Sequence, residues 1–189
     1  MKLRALVGAL ALAGVMAPAF ATNGYFSHGY GIKSKGMAGV GIAYGQDALA
    51  AATNPANMVL VGNRWDVGVD YFRPQRETTI TGNGAGANGT YDGNDTENFF
   101  IPEFGYNQML NPNMSVGVSV YGNGGMNTNY KALGGAFGNT NLLGGQGKLG
   151  VDLMQLIVAP TAAYKIAPNH SIGISPLIGY QRFKAYGLD

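Results

Sequence analysis

Trp65-Asp66-Val67-Gly68-Val69-Asp70-Tyr71-Phe72 decides the fold. Trp65, Val67, Val69 and Tyr71 take alternate positions, with Asp66, Gly68 and Asp70 between them. Successive side chains on a strand point to opposite faces, so this stretch is predicted to be a strand with one apolar face and one wet face. The pattern recurs where Met114, Val116, Val118 and Val120 alternate with Ser115, Gly117 and Ser119. It recurs again where Ile172, Ile174, Pro176, Ile178 and Tyr180 alternate with Gly173, Ser175, Leu177 and Gly179. Residues 99–109 and 149–165 are also long enough to be strands, although their second faces are less polar.

The connections between these segments alternate in length. Asn111-Pro112-Asn113 and Ala167-Pro168-Asn169 read as tight turns, whereas 74–98 and 122–148 read as long loops rich in Gly, Asn and Thr. Long loops on one side and short turns on the other are the pattern of a transmembrane antiparallel β-barrel, with the long loops outside the cell. With the first strand running outward, Trp65 falls at its inner end and Tyr71 at its outer end, about 20 Å of strand apart. Tyr106 and Tyr164 then fall at inner ends and Tyr180 near an outer end, as girdle residues at the two membrane surfaces should. Five strands cannot close a barrel, because an open sheet edge in lipid leaves backbone groups unpaired. The expectation is therefore an N-terminal piece of a longer barrel, with assembly of several chains as the alternative.

Composition agrees. Charged residues make up only 12% of the chain, glycine reaches 31 and tyrosine 11, while hydrophobic residues stand at an ordinary 46%. A soluble domain needs more charge on its surface. No apolar run beyond the leader approaches the ~20 residues of a spanning helix. Residues 1–21 read as a secretory signal peptide, with Lys2 and Arg4 at the start, an apolar stretch, and Ala19-Phe20-Ala21 before the cleavage point. Removing Lys2 and Arg4 leaves ten basic and ten acidic residues, and that balance gives no footing for nucleic-acid binding. The absence of cysteine excludes a disulfide framework, a thiolate metal site and a Cys nucleophile.

Residues 22–62 do not alternate. Gly36, Gly39, Gly41 and Gly45 are interleaved with small apolar residues, and Asp47-Ala48-Leu49-Ala50-Ala51-Ala52 is a run of helix formers that Asn54-Pro55-Ala56 is expected to stop. So small a segment has no core of its own and must pack against something larger; inside a barrel it would be a plug. Gly39-x-Gly41 lacks the strand and third glycine of a dinucleotide site, and Lys33 and Lys35 do not complete a phosphate loop. One Asn-Pro-Ala triplet without spanning helices does not make a water channel. His28 and His170 lack a nucleophile partner, which leaves a lipase-like enzyme without machinery; neither catalytic residues nor a metal or cofactor site is expected.

A signal peptide, a Gly/Ala-rich segment, Asn54-Pro55-Ala56 and then a strand over 64–74 resemble the outer-membrane long-chain fatty-acid and hydrocarbon transporters of the FadL/TodX type. Pro102-Glu103-Phe104-Gly105-Tyr106, Tyr121-Gly122, Asp152-Leu153, Ala163-Tyr164-Lys165 and Ser171-Ile172-Gly173 follow in the order of that family's second to fifth strands. The resemblance implies an all-β fold, a monomeric barrel of about 14 strands, with residues 1–21 a signal peptide, 22–62 a helical and irregular hatch, and 63–189 the first five strands. It also implies that Asn54, Pro55 and Ala56 pack near an inward kink of the third strand; the three are expected to fix the hatch conformation, with Asp47 capping or pairing close by. The kink, which opens the wall sideways, would fall at Gly122, Asn123, Gly124 and Gly125, where glycine permits a bulge. Pro102 and Pro160 lie inside proposed strands and leave bulges or shifted strand bounds open.

A hydrophobic solute gains free energy only on leaving water, by about 25 cal/mol per Å² buried, so its route must offer apolar stations. Ile157 and Leu177 on the lumen side, and Phe137, Leu142 and Leu143 in the outer loops, are candidate contacts; the alternative for Leu142 and Leu143 is that they only pack the loop. The expected function is passive uptake of long-chain fatty acids or similar hydrophobic compounds, by hatch rearrangement and lateral exit, in a bacterial outer membrane among its lipid and lipopolysaccharide. A general diffusion porin or an adhesive barrel is the competing reading. The sparse lumen charges Asp66, Asp70, Glu103 and Lys165 do not resemble a porin constriction.

Overall fold

The structure is a computed structural model that describes residues 24–188. The expected signal segment lies outside the described residues. The long strands are β1 (Arg64–Phe72), β4 (Phe99–Asn111), β5 (Met114–Tyr130) and β6 (Leu149–Ala167), followed by β7 (His170–Ile174) and β8 (Ile178–Tyr186). They form one antiparallel sheet in the order β1-β4-β5-β6-β7, with β8 also paired to β6. Among the described residues the sheet does not close on itself. No helix among them is long and apolar enough to cross a membrane, which says nothing against crossing with strands.

On β1 and β5 the predicted faces are the observed ones, whereas β7 and β8 are exposed on both. Trp65, Val67, Val69 and Tyr71 are 70, 65, 59 and 54% exposed, while Asp66, Gly68 and Asp70 are partly covered. On β4, Phe100, Phe104, Tyr106 and Leu110 are exposed, and Glu103, Gly105 and Asn107 are buried. A water-soluble monomer rarely shows so large a continuous apolar surface, whereas the wall of a membrane barrel needs one.

The covered face packs on the leading segment. That segment holds a short helix α1 (Ile32–Gly36) and 3-10 turns at Ala50–Ala52 and Pro55–Leu60. Ala48, Ala50, Ala51, Met58 and Val59 cluster with Ala163 of β6, and Leu49 clusters with Tyr121 and Ala159. The buried core therefore lies between the leading segment and the inner face of the wall. Small residues permit that closeness: a Cβ at Gly105 would come within 2.6 Å of the Ala48 carbonyl oxygen.

Four sequence expectations change. The alanine run makes only a 3-10 turn, and Pro55 begins the next turn as well as ending the last, because a proline at a first helical position loses no hydrogen bond. Residues 122–130 are strand rather than loop, paired with β6 as far as Tyr130↔Leu149, so the second long loop shrinks to 131–148. The first long connection carries a hairpin of β2 (Glu77–Ile80) and β3 (Gly89–Asp92). The expected fifth strand breaks at 175–177. The registers Ala162↔Ile174 and Val158↔Ile178 put Pro160 opposite Pro176, and neither proline has an N–H for the ladder.

The other prolines resolve simply. Pro160 sits within an unshifted β5·β6 register, opposite Val118. Pro102 pairs with Val69 of β1, and the β4·β5 ladder starts only at Phe104↔Val120, so Pro102 lies where β4 has a single partner strand.

Candidate functional site

The β4·β5 ladder ends at Phe104↔Val120, yet β4 continues through residues 99–103 and β5 continues to Tyr130, still paired with β6. The wall thus has an unlaced seam between β4 and β5. Beside it the β5·β6 register shifts between Gly122 and Gly124, the position at which the resemblance implied a kink. Chain from the leading segment occupies the seam. Phe26 bridges to Gly124, and the Gly125 N–H donates to the Tyr25 carbonyl at 3.0 Å. A Cβ at Gly124 would stand 2.5 Å from Tyr25 O, so glycine is what lets the two backbones meet. The Tyr30 hydroxyl donates to Asn123 Oδ1 at 3.0 Å, and its ring packs tilted against Tyr121, with centroids 4.6 Å apart. Burial pushes the Tyr30 phenol up from its ordinary value and keeps it a donor.

Asn54, Pro55 and Ala56 organise the leading segment. Asn54 is extended and caps the 3-10 turn, its Oδ1 accepting from Ala56 N at 3.1 Å while its Nδ2 donates to Ile42 O at 2.8 Å. Asn57 Nδ2 adds a bond to Gly41 O at 2.9 Å, so one turn anchors the preceding loop. The triplet lies against Gly173 of β7, where a Cβ would be 2.5 Å from Ala56 N. Tyr25, Phe26 and Tyr30, rather than the triplet, border the β5 bulge. Asp47 is buried and accepts from Leu49 N at 3.0 Å; burial raises its carboxyl above the ordinary value, and the Leu49 bond opposes that.

Wall side chains hold the segment by its backbone. Asp66 Oδ2 accepts from Ala48 N at 2.9 Å, the Ser119 hydroxyl donates to Ala48 O at 2.7 Å, and Asn107 Nδ2 donates to Met58 O and Gly62 O at 2.8 and 2.9 Å. Arg64 fixes Asp66 through a 2.6 Å pair and reaches Gln46 O at 3.1 Å. Lys35 of α1 pairs with Asp70 and Glu103 at 3.1 and 3.2 Å.

Of the candidate substrate contacts, Ile157 packs on the cluster of Leu49, Tyr121 and Ala159. Leu177 is exposed in the strand break. Phe137 and Leu143 are exposed in the 131–148 loop and Leu142 is half-buried there. None of them lines the open cleft at that end. This cleft, about 630 Å³, is lined instead by residues such as Asp92, Asp95, Glu97, Tyr130 and Lys131. Asp95 joins Lys131 and Lys148 at 3.2 and 2.6 Å, and these bonds hold its carboxyl below the ordinary range. His28 and His170 are both exposed, and no group of three His, Asp or Glu side chains among the described residues is placed to hold a metal ion.

Sequence reasoning missed Tyr25, Phe26, Tyr30, Lys35, Asn107 and Ser119. Asn107 and Ser119 carried a signal, since alternation puts both on the wet face; the others depend on contacts far along the chain. The family described as outer membrane protein transport protein (OMPP1/FadL/TodX) matches residues 13–185 of this chain. No curated protein matches it.

Proposed function

Because the chain belongs to the OMPP1/FadL/TodX family of outer-membrane transport proteins, we propose that it admits long-chain fatty acids or similar hydrophobic compounds passively and releases them sideways through the seam between β4 and β5. The observation that carries this reading is the unlaced seam with Tyr25 and Phe26 seated in it. In hydrocarbon an unpaired strand edge is costly, so the edge must be covered by protein or line a route. The leading segment, acting as a hatch, does the first when closed and permits the second when it moves.

An apolar solute reaching the outer loops would meet Phe137, Leu142 and Leu143, then the lumen side of the wall at Ile157 and Leu177. Hatch residues around Tyr30 and Leu49 cover Ile157, so a bound chain has to displace them. A ligand drives that displacement only as far as it prefers the displaced state. Asn54, Pro55 and Ala56, with Asp47, keep the hatch a single shaped body while its first residues leave the seam. The outward apolar band would sit in outer-membrane lipid and lipopolysaccharide, around a monomeric barrel.

The test is flux in liposomes carrying the full-length protein from outer membranes, with a long-chain fatty acid and a small sugar measured side by side. Fatty-acid transfer above empty liposomes, with little sugar flux, is expected. Sugar flux without fatty-acid transfer would make it a general porin.

A further inference from the structure

We propose that Glu103 is the positioning residue that locks α1 onto the wall through Lys35, and that the first hatch residues leave the seam only after this pairing is broken; that they leave at all rests on the transport reading above. Glu103 lies on the lumen face of β4, with its side chain only 2% exposed. Its Oε2 accepts from the Gly31 N–H and from Lys35 Nζ, each at 3.2 Å. Lys35 also reaches Asp70 of β1 at 3.1 Å, so one hatch cation is shared by carboxylates of two adjacent strands.

The seat for this carboxylate is made by its cross-strand neighbour. Glu103 pairs with Gly68, where a Cβ would stand 2.9 Å from Oε1 and 3.0 Å from Cγ. Glu103 is thereby packed flat under α1, and its Oε1 has no hydrogen-bond partner. A carboxylate so placed is tolerable while the hatch supplies the cation and the amide, and it becomes an unpaired buried charge if either goes without water replacing it. The other wall contacts of the hatch are of a different kind. Asn107 and Ser119 bind backbone carbonyls as neutral partners, and Asp66 has its own cation, Arg64, on the same strand. Asp70 shares Lys35 but keeps a third of its side chain in water, so among the described wall carboxylates paired to the hatch it is the buried Glu103 whose charge balance requires the hatch to stay. Lys35 and Gly31 stand on the chain between the seam-filling residues 25–26 and the Asn54 turn. Releasing them frees the part of the hatch that must swing.

The experiment is amide hydrogen exchange on the full-length protein in outer-membrane vesicles, followed over residues 29–36, for the parent, Glu103→Gln, Lys35→Met, the double variant and Lys35→Arg. The expected result is exchange over 29–36 at least about tenfold faster in each of the first two. The double variant should be no faster than Lys35→Met, Lys35→Arg should stay close to the parent, and the temperature of barrel unfolding in gel-shift assays should not change. Parent-like exchange in both single variants, or effects that multiply in the double, would overturn the lock. If Glu103→Gln does not assemble, Lys35→Met decides alone, since unchanged exchange there also overturns it. The readout does not depend on what is carried: a parent protein that moves no fatty acid would defeat the transport reading while leaving the exchange result to judge the lock.

Discussion

Gly173→Ala tests whether the Asn54 turn is seated on the wall as the geometry requires. A Cβ at this position would lie 2.5 Å from Ala56 N and 2.7 Å from Pro55 O, where ordinary contact begins near 3.4 Å. About 1 Å of movement must be found, and both neighbours are backbone. The wall is the stiffer party, since β7 is laddered to β6 through Ala163↔Gly173 and its neighbours, so the hatch turn has to give way. Inserting one carbon into a packed site costs about 1–3 kcal/mol, which corresponds to roughly a 5- to 150-fold rise in the opening of the turn. Amide exchange over residues 54–60 reads that opening directly. Gly179→Ala is the matched control, because its Cβ would meet only the flexible Ile157 Cδ1 at 3.4 Å. Equal exchange over 54–60 in Gly173→Ala and the parent would refute the seating.

Other outcomes follow from the same geometry. Asn54→Ala removes a cap worth about 1 kcal/mol and the bond to Ile42 O, worth about as much again; exchange over 41–43 and 54–58 should rise together, and a rise confined to one of them would break the link between loop and turn. The Asp95 ties to Lys131 and Lys148 depend on an ionised carboxyl held below its ordinary 3.8. They should be fully present above that value and fade only as pH falls through the depressed one, or as salt screens them, when exchange at 93–97 is followed. Loosening already at pH 6 would contradict this. Replacing Pro160 and Pro176 together with valine should let β7 and β8 run on opposite β6 and slow exchange several-fold at Ile174 and Ile178, whose amides face the same neighbour as position 176; unchanged rates would mean that something other than the missing N–H groups breaks the strand.

The faces of β1 and β5 were legible because a strand in a membrane wall must separate apolar from polar residues with period two, and Trp65 to Tyr71 does so without exception. The strand from 122 to 130 was not legible. Gly and Asn are poor strand formers, both faces are polar, and only the partner residues 149–156 make it strand. The β5·β6 register shift at Gly122–Gly124 falls where the resemblance placed a kink, and glycine there only permits one; Tyr25 and Phe26, which meet it, lie about a hundred residues away and leave no local mark. Asn54-Pro55-Ala56 announced a stop to one turn; that it also starts the next, and lies on Gly173, is decided by packing. Lys35, Asp70 and Glu103 looked like scattered charges until the fold brought them together. Phe137, Leu142 and Leu143 stand out as apolar residues in a polar loop, but hydropathy does not say whether they converge, and the loop instead folds around Asn141, whose Oδ1 accepts from Leu143 N and Gly145 N.

The claim at the centre is that Tyr25 and Phe26 close the β4·β5 seam and leave it when a hydrophobic ligand binds. Spin labels at Phe26→Cys, in the seam, and Ile101→Cys, on its β4 border, in the full-length protein measure this as a distance with and without a long-chain fatty acid. The account predicts a short, narrow distribution without ligand that shifts to longer distances as the fatty acid saturates. A distribution that stays put while the same sample transfers fatty acid would contradict it.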